Sequence, residues 1–380
     1  MQPRVDDFSI PAGTHYLNCA YMSPLPRAVE EAGVAGVRSK RDPSRIEARH
    51  FFEDSDRARE LFARRIAVDA AGVAIVPGVS YGMEVIARNL PAPAGAHSYV
   101  VLAEQFPANV HPWRALAART GASVRTVERP REGEDWTERV LAAIDESTAL
   151  VALPQVHWTD GALIDLDRVG RRAAHVGAAF AIDGTQSIGA HPFDARAMRA
   201  DAVVCAGYKW LLGPYSLGFL WVGERFRGGE PLEQTWIGRA GSEDFRALVD
   251  YRPDLRDDAS RFDVAERSNF ALMPMAIAAL EYLEALGVDA VRAHCAELTA
   301  RIADEAGALG ARPPSGPRAD HIVGLRLPAG ADGARVFERL RERRVHVSRR
   351  GDALRVSPHV YNGHEDVDAL LVGLRSALAA

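Results

Sequence analysis

Short apolar runs alternate with helical patterns through the middle of this chain, and that alternation leaves few folds open. Runs rich in β-branched residues stand at Val73–Val76, Tyr99–Leu102, Ser123–Val127, Ala149–Leu153, Ala179–Ile182, Ala202–Cys205 and Leu217–Val222. Between most of them lie helix-period segments at 84–89, 110–118, 137–144 and 166–175. Strands that are apolar on both faces must be covered on both sides, as in a mainly parallel sheet with crossover helices. The last two runs follow each other too closely for a helical crossover, which predicts a sheet mixed at one edge. Residues 223–262, rich in Gly, Arg, Asp and Pro, read as loops. Beyond them the pattern predicts helices over 271–286 and 288–306, a strand at 322–327, a helix at 334–341, strands near 345–348 and 353–356, and a final helix over 365–378. The fold class is α/β: a large unit on seven strands and a smaller one after it.

At 380 residues, 47% hydrophobic and 26% charged, with a net charge of −5, the chain has the composition of an ordinary globular protein and no electrostatic case for nucleic acid. No apolar run is long enough to cross a bilayer and no signal peptide is legible, so the expected location is the cytoplasm, away from membranes. Cys19, Cys205 and Cys295 are widely spaced, which argues against a disulfide framework or a metal site.

Candidate chemistry falls where the predicted strands end, the place where open α/β sheets hold ligands. Lys209 is one of two lysines beside 44 arginines and sits among apolar and small residues, Val203 to Pro214. A poorly solvated amine can act as a nucleophile or Schiff-base former, and arginine cannot. It also reads as a corner residue with its head in water. Pro77-Gly78-Val79-Ser80-Tyr81 passes from strand to helix and suits an anion, or is a plain helix start capped by Ser80. Phe106 follows the strand ending at Leu102 and could stack on a planar ring or belong to the core. Asp183, at another strand end, needs a cationic partner if buried, and Gln186 lies on the following turn. A phosphate cup, a stacking ring, a carboxylate and a Schiff-base lysine together are what a pyridoxal 5′-phosphate (PLP) site requires.

The same residues resemble a known family. Asp183-Gly184-Thr185-Gln186 is similar to the Asp-Gly-x-Gln motif of fold-type I PLP enzymes of the class V aminotransferase branch, which includes cysteine desulfurases, kynureninases and isopenicillin N epimerases. Gly207-Tyr208-Lys209 with Gly213-Pro214 and Gly218 resembles its lysine loop. Tyr16 to Pro26 resembles its N-terminal arm, and Leu354 to Asn362 its C-terminal arginine motif.

The resemblance implies an aspartate aminotransferase-like fold with an arm at 1–24, a large PLP-binding domain at 25–262, and a linking helix with a small C-terminal domain at 263–380. It implies that Lys209 and Asp183 are catalytic, Lys209 holding PLP as a Schiff base and Asp183 pairing with the pyridinium nitrogen. Gln186 would bond the ring oxygen, Phe106 would stack on the ring, and Ser80, the Tyr81 amide and Tyr208 would bind phosphate. Trp236 and Asn269 would complete the phosphate site, in one chain or across a homodimer. Arg355 would hold a substrate carboxylate, and His157 is an acid/base or substrate-contact candidate with a structural alternative. Ala206 stands where the family commonly has a phosphate-binding Ser. No Cys lies in 343–357, where desulfurases carry their nucleophile, so persulfide chemistry is not expected. The implied activity is an aminotransferase on an amino acid or keto acid, with a Cβ lyase, an epimerase or a catalytically silent PLP-binding homologue as alternatives.

Overall fold

The computed structural model describes residues 1–91, 97–131, 133–351 and 353–379. In chain order its elements are β1 (His15–Tyr16), α1 (Arg27–Ser39), α2 (Glu53–Arg65), β2 (Val73–Val76), α3 (Val79–Asn89), β3 (Ser98–Leu102), α4 (His111–Thr120), β4 (Ser123–Val127), α5 (Trp136–Ala143), β5 (Thr148–Pro154), α6 (Leu166–Val176), β6 (Ala179–Asp183), β7 (Ala202–Ala206) and β8 (Gly218–Val222). There follow α7 (Glu224–Arg227), α8 (Leu272–Leu286), α9 (Val288–Ala308), β9 (Val323–Arg326), α10 (Gly333–Glu342), β10 (Val345–His346), β11 (Ser348–Arg350), β12 (Ala353–Val356) and α11 (His364–Leu378).

The seven-stranded sheet has the order β2-β8-β7-β6-β5-β3-β4. Every pairing is parallel except those of β8, which runs antiparallel to both β2 and β7. The mixed pairing expected at the edge therefore lies one strand in, because β2 returns to cover β8. Side chains alternate between two apolar layers. Val203 and Cys205 of β7 join the layer with Phe62, Phe219 and Trp210, while Ala202, Val204 and Ala206 join the layer with Met83, Trp113 and Phe262. Burial on both faces explains why these strands read as continuous apolar runs.

Local chemistry sets the helix ends. Asp135, Asp165 and Asp332 cap α5, α6 and α10 through their side chains, and Gly121 and Gly177 end α4 and α6 in the left-handed conformation. The Lys209 segment is set by close backbone approach. A Cβ on Gly207 would lie 2.6 Å from Leu217 O, and one on Gly218 would lie 2.6 Å from Cys205 O. Gly207 N also donates to Leu217 O, and Gly213 N to Gly207 O, each at 2.9 Å.

The smaller sheet, β11-β12-β9, packs on α9, α10 and α11 around Leu298, Ile302, Leu340 and Leu370. The chain's first residues tie the two sheets together. β1 pairs in parallel with β10, Cys19 N donates to Ser357 O at 3.0 Å, and Ser23 N donates to Tyr208 O at 3.0 Å. No helix among the described residues is long and apolar enough to cross a membrane.

Candidate active site

The carboxyl ends of the parallel strands open on a cavity of about 570 Å3. On one side β2 passes through Pro77 and Gly78 into α3. Gly78 is the capping residue and no side chain caps this helix, so Ser80 is not the N-cap. The first bond of the helix is Gly82 N to Gly78 O. The N–H groups of Val79, Ser80 and Tyr81 therefore have no partner within the helix and line the cavity at the positive end of the helix dipole. A Cβ on Gly78 would meet nothing within 4 Å, which leaves room there for a ligand group.

Opposite, Asp183 ends β6 and Lys209 follows β7, and the two strands are hydrogen-bonded neighbours. Asp183 is buried, and its carboxylate accepts one backbone bond, from Thr185 N at 3.0 Å. Burial pushes its pKa up, opposed first by Thr185 and last by Lys209. The Lys209 amine makes no hydrogen bond or ion pair among the described residues. It lies 5.1 Å from the ring centre of Phe106 and 5.6 Å from that of Tyr208. Burial lowers its pKa from 10.5 to about 8, with Asp183 pulling the other way. Desolvation wins by about 3 kcal/mol. A buried acid and a buried amine thus face one cavity, each short of a partner. A ligand with a cationic ring nitrogen, a carbonyl carbon and a phosphate would supply all the missing partners, so these residues fit PLP.

Ser80, Tyr81, Phe106, Asp183, Gln186, Tyr208 and Lys209 all line this cavity. Gln186 is held in one orientation: its carbonyl accepts from Trp210 Nε1 at 2.7 Å and its amide donates to Ala20 O at 3.1 Å. One amide N–H is left for a ligand.

Not every candidate lines this cavity. His157 does not line the cavity. It is fully buried, with its ring stacked on Trp136 at 5.4 Å. Its Nε2–H donates to Ala103 O at 3.2 Å, and its Nδ1 takes the Thr159 hydroxyl at 2.8 Å. Both nitrogens are used and burial lowers its pKa, so it is a structural histidine. Trp236 also lies outside the cavity, in an aromatic cluster with Phe51, Phe52 and Phe245. Asn269 does too, accepting from Ala271 N and Leu272 N at the start of α8.

The residue beside His157 is the one the sequence reading left without a role. Trp158 lines the cavity, packs edge-on against Phe106 at 5.3 Å and donates from Nε1 to Glu104 O at 2.7 Å. Arg355 is buried behind it, outside the cavity lining, donating to Trp158 O at 2.7 Å and to Ser348 Oγ at 3.4 Å, with its Nε–H unpartnered among the described residues. Cys19, Cys205 and Cys295 are all buried, and desolvation raises all three thiol pKa values.

A family model described as aminotransferase class-V matches residues 40–370. The uncharacterized aminotransferase YcbU of Bacillus subtilis is 28% identical over 321 residues, covering 83% of this chain and 81% of that protein. Isopenicillin N epimerase of Streptomyces clavuligerus is 28% identical over 373 residues, covering 93% and 92%. Among solved structures, a mutant of C-DES with glycine covalently linked to its PLP cofactor superposes with a TM-score of 0.86 at 18% identity, covering 99% of this chain and 100% of that one.

Proposed function

The chain belongs to the aminotransferase class-V family, and on that premise we propose that it is a PLP-dependent aminotransferase acting on an amino acid and a keto acid. The observation that carries this reading is that a buried Lys209, its amine without a hydrogen bond or ion pair among the described residues, faces a buried, under-bonded Asp183 across one cavity. In this reading Lys209 is the point of covalent attachment. The α3 N-terminus with Ser80, the Tyr81 amide and Tyr208 holds the phosphate, and Phe106 covers one face of the ring. Asp183 keeps the ring nitrogen protonated, and the free N–H of Gln186 reaches the ring oxygen. When bound, PLP supplies an electron sink for the pair left by bond cleavage at the substrate Cα. With a pKa near 8, the Lys209 Nζ can take up a proton from that carbon and release it again near neutral pH. Arg355 offers a guanidinium fork to the substrate carboxylate. Trp236, partly exposed on its own chain, and Asn269 are proposed to serve the neighbouring site of a homodimer.

Reconstitution with PLP tests the reading. The wild-type protein should gain a near-visible absorption band that Lys209→Ala loses, and a protein that stays colourless with excess PLP would sink the proposal. Transamination predicts that an amino acid panel leaves pyridoxamine phosphate on the enzyme. Release of ammonia and a keto acid without it would assign a lyase, and inversion at Cα an epimerase. A band with no turnover of any kind would mark a silent homologue.

A further inference from the structure

Beside the cavity, and sharing Gln105 and Trp158 with it, lies a second cleft whose charged lining is Glu104, Arg129, Asp160, Arg350 and, at the end of β9, the exposed Arg326. Its charges do not balance. Both acids are committed to Arg129, whose guanidinium reaches Glu104 at 2.7 Å and Asp160 at 2.5 Å. Arg350, at the end of β11, pairs with no carboxylate among the described residues. Its Nη1 donates to Arg349 O at 2.8 Å, and its Nε–H is buried without a partner. The Arg350 guanidinium carbon stands 5.1 Å from the Trp158 ring centre, and that of Arg355 stands 5.8 Å from it.

Two arginines therefore share one indole with no carboxylate partner among the described residues. The electrostatics agree: burial lowers the pKa of both Arg355 and Lys209, and Arg350 adds a smaller push in the same direction to each. An uncompensated buried cation such as Arg355 is costly, and an anion that neutralises it together with the half-buried Arg350 is favoured. The two guanidiniums lie at different depths, Arg355 fully buried and Arg350 at the rim. A single carboxylate fills one guanidinium fork, so the rim position calls for a second acidic group.

We propose that the substrate is a dicarboxylic amino acid, its α-carboxylate on Arg355 and its side-chain carboxylate on Arg350, with Trp158 as the wall between cavity and cleft. This rests on the reading of Arg355 given above. It makes Arg350 a specificity-determining residue, because a charge-assisted bidentate contact discriminates strongly against a neutral side chain.

The test uses PLP-loaded protein and amine-free probes that cannot react: glutarate against valerate, each titrated by calorimetry. The expected result is glutarate binding about 10- to 100-fold tighter than valerate. Arg350→Gln should bring that ratio close to one, and Arg350→Lys, a point charge without the fork, should keep part of it. Circular dichroism of each variant checks folding. A wild-type ratio near one, a ratio kept in Arg350→Gln, or a ratio lost only in Arg326→Gln overturns the proposal. The absorption band is read first, and the calorimetric ratio is then read on protein that shows it. A missing band condemns the cofactor reading, and a missing preference condemns this one.

Discussion

Lys209 carries its chemistry because desolvation outweighs the pull of Asp183. At pH values above about 8 its amine is mostly neutral, and the neutral amine is the nucleophile. Covalent capture of PLP by the apoprotein should therefore speed up with pH and level off through a midpoint near 8. A midpoint near the ordinary lysine value of 10.5 would show that the amine is solvated. Lys209, Asp183 and Phe106 could be found in the sequence because each follows a short apolar strand, and strand ends are where such a fold places ligand groups. His157 and Trp158 could not be told apart that way. Both follow β5 outside any regular element, and only packing turns one toward Trp136 and the other toward the cavity. Trp236 and Asn269 could not be placed relative to their own chain's cavity for a related reason: long loops put them where no periodic signal reports their direction.

At the scale of elements, one buried clamp holds the sheet's edge in place. Asp263 accepts from Arg59 of α2, from Arg267 and from Ile75 N of β2 at 2.7 Å. It thus ties β2, which leads into the α3 N-terminus, to the helix behind it. Replacing it leaves the buried Arg267 without its acid and Arg59 with only the exposed Asp56, so Asp263→Asn should cost about 3–5 kcal/mol in chemical denaturation. A loss below 1 kcal/mol would mean that water reaches the clamp. The seven strands were legible within a residue or two, since burial on both faces writes itself as apolar runs. The antiparallel β8 was legible from its short connection, but its place inside the edge was not, because the partner that covers it comes from far away in sequence. Helices α1 and α2 were missed. Their apolar faces are sparse, and they gain a core from elements distant in sequence, α1 from α8, and α2 from α8 and from the sheet, where Phe62 stacks on Phe219 of β8.

Across the whole molecule, the N-terminal residues, the lysine segment and the C-terminal motif meet beneath the site around buried histidines. His321 gives a short bond to Gln186 O at 2.6 Å, and His359 has both ring nitrogens unpartnered. Burial pushes both pKa values down to about 3. The sign follows from linkage: the unfolded chain takes up these protons below about 6.5 and the folded one does not. Their contribution to stability is complete above that value and is lost as pH falls from about 6.5 towards 3. Each should add a slope of roughly 1.4 kcal/mol per pH unit in that window. Denaturant titrations at pH 7, 6 and 5 should show the loss, and His359→Phe should remove one histidine's share of it, the other buried imidazoles keeping theirs. An unchanged slope in that variant would place the proton uptake elsewhere.

The backbone contacts at Gly207 and Gly218 leave no room for any side chain, so the segment that presents Lys209 is closed to change. The rim that presents Arg350 has no such lock. Variation between descendants of this chain has one inexpensive direction: the bond-breaking apparatus stays as it is, while the compounds it accepts can be exchanged a few residues at a time.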